Sequence, residues 1–163
     1  MTFQLIESAV TSKNDLYEFL AAQLSHLLAD ERNLIANAAN TSALLFHSLP
    51  KINWVGFYFL KEGELVLGPF QGKPACVRIA VAKGVCGTAA ARRETVLVPN
   101  VHEFPGHIAC DSASNSEIVI PLMKDGRLIG VLDLDSPDFG RFDDEDARGL
   151  NELAQMLIER SDG

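Results

Sequence analysis

The chain predicts an α+β fold: one central, mostly antiparallel sheet with helices packed on one face and a loop-covered pocket on the other. Three observations carry this expectation. Helical apolar stripes occupy the two ends, strand-like runs joined by tight turns fill the middle, and a long aperiodic loop interrupts them near residue 110.

The elements follow in order. Between Lys13 and Ala29, Leu16, Phe19, Leu20, Leu24, Leu27 and Leu28 form a helical stripe that Asn14 or Asp15 can cap. A second helix is predicted from Leu34 to Leu49, stopping before Pro50. Trp54 to Leu60 is aromatic-rich and strand-like, and Glu62-Gly63 turns it into a partner strand from Glu64 to Leu67. After Gly68-Pro69 a strand is predicted around Cys76 to Val81, and Lys83 to Ala90 reads as a tight turn opening a short helix. Thr95 to Val98 is a short strand ended by Pro99, and Asn100 to Ser116 is the long loop, a type of segment that often carries function. A hairpin follows, Glu117 to Met123 and Arg127 to Asp135. The chain closes with a helix from Asp143 to Glu159 whose acidic start suits a helix N-terminus.

Composition narrows the function classes. The 163 residues suit one domain, residues 1–163, and 47% hydrophobic with 22% charged residues is ordinary for a globular protein. A net charge of −8 argues against nucleic acid and anionic membrane surfaces as partners. The start Met1-Thr2-Phe3-Gln4-Leu5-Ile6-Glu7 does not read as a secretory signal, and no apolar run approaches the roughly 20 residues that span a bilayer. A cytoplasmic location is the simple expectation. In that reducing compartment the three cysteines are not expected to form a structural disulfide framework.

The hairpin register tests whether the acidic residues meet. With Lys124-Asp125-Gly126 as a three-residue loop, Met123 pairs with Arg127, Glu117 lies opposite Asp133, and Asp135 comes next on the same face. The other face then collects Ile118, Ile120, Leu122, Leu128, Leu132 and Leu134. A two-residue Asp-Gly turn would scramble that separation, because a slip of one flips every side chain. A solvated polar face is the plain alternative for such carboxylates. Clustered, they would raise one another's pKa and let one carboxyl keep its proton.

The cysteines differ in context. Cys76, among Val77, Ile79 and Val81, suits a small core hydrophobe as well as a reactive group. Cys86 falls at a helix N-terminus, where a thiolate is stabilised. Cys110 lies in the polar loop and is the foremost candidate thiolate; His107, three residues earlier, either assists it or is an ordinary loop histidine. A zinc centre from the three cysteines with His102 or His107 is the competing explanation, but its spacings lack paired ligands. There is no Cys-x-x-Cys, serine-hydrolase elbow or phosphate-binding glycine loop.

The segment Phe104 to Pro121 resembles the signature of the free methionine-(R)-sulfoxide reductases, which are GAF-domain proteins. Asn53 to Tyr58, Gly68 to Cys76, Gly84 to Ala89 and Gly130 to Ser136 are similar to the same family, as is the mutual spacing of the cysteines. The resemblance implies a GAF fold, commonly dimeric, that reduces free L-methionine (R)-S-oxide and needs no metal or organic cofactor. It implies Cys110 as the catalytic cysteine, Cys76 as the main resolving one and Cys86 as an additional one. Glu117, Asp133 and Asp135 would bind substrate and support protonation, with Trp54 and Tyr58 as an aromatic wall. Cys110 would become a sulfenic acid, then a disulfide that thioredoxin reduces. The alternatives are a GAF small-ligand sensor and a redox sensor without turnover.

Overall fold

The computed structural model describes residues 3–4, 12–107 and 112–163. Among them, six strands form one sheet in the order β3-β2-β1-β6-β5-β4, every neighbouring pair antiparallel. The strands are β1 (Trp54–Lys61), β2 (Glu64–Gly72), β3 (Arg78–Ala80), β4 (Val96–Val98), β5 (Ser116–Lys124) and β6 (Arg127–Ser136). The helices are α1 (Lys13–Leu27), α2 (Leu34–Ser48), α3 (Gly84–Arg92) and α4 (Asp144–Glu159). Two hairpins, β1-β2 and β5-β6, are joined side by side through β1 and β6, so residues about eighty positions apart share the sheet's centre.

The core divides by face. Leu20 and Leu24 of α1, Leu45 of α2 and Leu153 of α4 pack on Phe57, Ile118, Ile120, Leu132 and Leu134. The opposite face carries a second cluster that includes Trp54, Tyr58, Val119 and Val131, and there α3 joins the loops as cover. Each terminal helix has a real cap. Ser12, rather than Asn14 or Asp15, caps α1 by accepting from the Asp15 amide, and Asp143 and Asp146 form a reciprocal capping box on α4. Asp146 also ties α1 to α4, since it is buried, accepts from the Tyr17 hydroxyl at 2.7 Å and pairs with Lys13 and Arg141.

Two strands depart from the sequence expectation, for stated reasons. Gly68-Pro69 does not end β2. Both residues face Phe57 in a bulge, where a proline's missing N–H costs no ladder bond, and the strand runs on to Gly72. That extension sets Phe70 opposite Gly56. β3 is shorter than expected, and Cys76 and Val77 precede it in a connecting loop.

The β5-β6 hairpin departs most instructively. The turn is the two-residue Asp125-Gly126, with positive φ at both (51° and 76°), so Lys124 pairs with Arg127. Alone, that turn would reverse the faces. A bulge beyond it restores them: Met123 pairs with Leu128 but Leu122 with Gly130, leaving Ile129 as the extra residue. Glu117 consequently faces Asp135 rather than Asp133, two positions off the predicted pairing, with parity intact. Leu128, expected with the apolar face, packs instead on the pocket side, and Ile129 takes its place against the helices.

Candidate active site

Four strands aim side chains at one spot. Trp54 on β1, Asp135 on β6, Glu117 on β5 and Val98 on β4 form one cross-strand row, and Gly56, Asp133 and Val119 form the next. Glu117 and Asp133 are therefore diagonal neighbours, a separation that a long side chain spans. Of these rows, Trp54, Glu117, Asp133 and Asp135 line a pocket together with Tyr58, Ile79, Lys83, Cys86, His107 and Ser114, beside the start of α3.

Gly56 makes the aromatic wall possible. A Cβ there would lie 2.5 Å from the Trp54 ring and 2.4 Å from Phe70 Cβ, so the indole lies across the space a side chain would take. It stacks on Phe70 at 5.4 Å and on Tyr58 at 6.0 Å between ring centroids. Both polar tips are satisfied: Trp54 Nε1 donates to the Lys73 carbonyl and the Tyr58 hydroxyl to the Cys76 carbonyl, each at 3.0 Å.

The acidic floor is buried. Glu117 and Asp133 are each 6% exposed and their carboxyls are hydrogen-bonded to one another. Burial pushes the Glu117 carboxyl well above the ordinary range, and the charges of Asp133 and Asp135 push the same way. Burial also raises Asp133, to about 6, against bonds from Glu117 and Cys86 that favour its charged form. Burial and mutual repulsion thus favour one proton held by the pair. Asp133 Oδ1 has no hydrogen-bond partner among the described residues, a costly state for a buried carboxylate that a bound cationic group relieves.

Cys86 is a free, buried thiol whose Sγ lies 3.9 Å from Glu117 Oε1. The sequence placed it at a helix N-terminus that favours thiolate; burial, then the charges of Asp133, Glu117 and Asp135, push its pKa well up instead, so it stays protonated. Cys76 is disulfide-bonded and half-buried. Cys110 lies outside the described residues.

His107 and Ser114 complete the rim. His107 Nε2 stands 3.9 Å from Glu117 Oε2, and burial with the nearby His102 lowers its pKa, so it is a neutral ring over the floor. Ser114 is buried and exchanges a hydrogen bond with Asn53. The sequence left His107 undecided and passed over Ser114, although both lie on the loop that also carries Cys110. Among the described residues, Cys86, Glu117 and Asp133 are the three donors near enough to share a metal ion, all within 4.8 Å. Binding one would strip protons from Cys86 and Glu117, the two groups the burial keeps neutral, so the site suits proton donation and capture of an organic cation better. No helix of the described residues is long and apolar enough to cross a membrane.

The chain's relatives agree in kind. The GAF domain family matches residues 20–157. A free methionine-R-sulfoxide reductase of Escherichia coli is 56% identical over 146 residues, 90% of this chain and 88% of that one. One of Saccharomyces cerevisiae is 42% identical over 158 residues, 92% and 88% of the two chains. Among solved structures, the free methionine-R-sulfoxide reductase of Neisseria meningitidis in complex with its substrate superposes with a TM-score of 0.92 at 48% identity, covering 96% of this chain and 94% of that one.

Proposed function

Because the chain belongs to the GAF-domain family and, within it, to the free methionine-R-sulfoxide reductases, we propose that it reduces free L-methionine (R)-S-oxide by thiol chemistry on Cys110. The observation that supports this best is the buried Glu117–Asp133 pair, a carboxylic acid and a carboxylate side by side against an aromatic wall.

The substrate's parts match the pocket's. The ammonium group meets ionised Asp133, whose Oδ1 lacks a partner, with Asp135 beside it. The carboxylate faces exposed Lys83 and the first amides of α3. The methyl sulfoxide end packs on Trp54, which fixes one epimer. An internal peptide methionine has no ammonium and gains nothing from Asp133, so the free amino acid is preferred.

In the reaction the Cys110 thiolate attacks the sulfoxide sulfur while Glu117 gives its proton to the departing oxygen. Methionine leaves and Cys110 becomes a sulfenic acid. Cys76 condenses with it, releasing water and forming a disulfide; that Cys76 is disulfide-bonded while Cys86 is free supports Cys76 in this role. Cys86 is the reserve thiol. An external dithiol of the thioredoxin kind then restores both thiols. The working unit is a cytoplasmic homodimer in which residues 1–163 act as one domain, without metal or organic cofactor.

One assay tests the reading. Protein, dithiothreitol and racemic free methionine sulfoxide should yield methionine until half is consumed, with the S epimer left over. Cys110→Ser protein should yield none. Full activity in that variant, or no methionine from the wild type, would remove the proposal and leave a GAF ligand or redox sensor.

A further inference from the structure

The aromatic wall has a second attachment. Trp54 and Tyr58 sit two pleats apart on the pocket face of β1, and both of their polar tips end on the same loop, at the carbonyls of Lys73 and Cys76. That loop joins β2 to β3 without ladder pairing of its own until Val77, whose carbonyl accepts from the Leu67 amide at 2.8 Å. Its entry is laid directly over the indole. Gly72 has φ +129°, and a Cβ there would lie 2.6 Å from Trp54 Cδ1 and 2.8 Å from the Asn53 carbonyl. Two side-chain donors therefore hold the backbone of a cysteine-bearing loop where most neighbouring segments are held by strand pairing.

Tyr58 is the closer of the two tethers. It is 1% exposed, stacked on Trp54, and its hydroxyl bonds to the cysteine's own carbonyl. Burial, then the charge of Asp133, keeps that phenol protonated, so it is a permanent donor.

We propose that Tyr58 is the positioning residue of the resolving step: its hydroxyl fixes the Cys76 backbone so that Cys76 Sγ is presented to the sulfenic acid, while its ring serves the substrate wall. The inference rests on Cys76 resolving Cys110, as proposed above. In that step the Cys110 S–O bond breaks, the Cys76–Cys110 S–S bond forms, and the Cys76 thiol proton leaves with the hydroxide as water. Tyr58 transfers no proton in it.

Tyr58→Phe removes the hydroxyl and keeps the ring. Pre-reduced wild-type and variant proteins are mixed with free methionine (R)-sulfoxide without reductant, and methionine release, thiol loss and trapping of sulfenic acid by a cyclic 1,3-dione are followed. In the variant, disulfide formation should slow by about tenfold or more, since an ångström of misplacement costs that much or more. Methionine release should slow less than disulfide formation, so the ratio of the two rates falls about tenfold and the sulfenic acid accumulates and is trapped. Disulfide formation at the wild-type rate would overturn the proposal, as would equal slowing of both steps. If wild type itself released no methionine, the functional reading would fail instead. Should Tyr58→Phe not fold, Trp54→Phe cuts the tether at Lys73 and must shift the ratio of the two rates in the same direction.

Discussion

Alternate residues of β5 and β6 meet opposite surroundings. Ile118, Ile120, Leu132 and Leu134 are sealed beneath α1, α2 and α4, while Glu117, Asp133 and Asp135 face the side covered by α3 and loops. On the helix side Ile118, Ile120, Leu132 and Leu134 pack among buried apolar side chains, and stability there comes from area and fit. On the pocket side two carboxyls and a thiol are buried together, an arrangement that lowers stability and supplies a proton donor next to a negative charge. The difference teaches that one ladder of hydrogen bonds supports two kinds of surface, and that the bulge at Ile129 keeps them apart.

Substitutions on the two faces should therefore separate activity from stability. The largest effect expected is from Glu117→Gln, which keeps the shape and removes the proton. Activity should fall by about 10²-fold or more, the usual worth of a positioned general acid. The unfolding midpoint should hold or rise, because a neutral amide replaces a group crowded by Asp133 and Asp135. A variant within about tenfold of wild type would take Glu117 out of the proton-donor role.

Leu132→Ala makes the same test from the other side. Leu132 is fully buried and pairs with Phe57 across β1. Truncation should cost about 3 kcal/mol and lower the midpoint by about 10 °C. Measured well below that midpoint, kcat/KM should stay within about twofold of wild type. A large loss of activity in the folded variant would mean that the two faces are coupled through the sheet.

How far the sequence carried the site depends on which face is considered. The apolar side was legible from period two alone, since Ile118, Ile120, Leu132 and Leu134 separate from Glu117, Asp133 and Asp135 in both the expected three-residue-loop register and the observed one. The pairing itself was not. Asp125-Gly126 makes the tight two-residue turn its composition favours, and the compensating bulge at Ile129 has no local residue signature, because Leu-Ile-Gly reads as ordinary strand. Gly68-Pro69 misled in a similar way, looking like an end where the chain uses a bulge. The state of Cys86 was illegible for another reason. A helix start favours thiolate in isolation, and only the sheet opposite, with Asp133 and Glu117, reverses that preference. Lone-residue chemistry is local, whereas charge and burial arrive from strands far away in the chain.

The smallest expected effect bears most directly on the trade between the faces. Burial raises the Asp133 pKa from 3.8 to about 6, so between those values the folded protein holds a proton that the unfolded chain has released. Folding is favoured by that proton below the lower value, and the advantage is lost as pH rises through about 6. Above it, the folded protein carries a buried charge that destabilises it. Asp133→Asn removes that charge, so its unfolding midpoint should match wild type at about pH 4 and exceed it by a few degrees above about pH 7. KM for free methionine sulfoxide should rise in the same variant, because the ammonium loses its ionised partner. An offset that is equal at every pH would show that packing, rather than the charge, sets the difference. A higher midpoint with unchanged KM would locate the ammonium elsewhere, with Asp135 the next position to substitute.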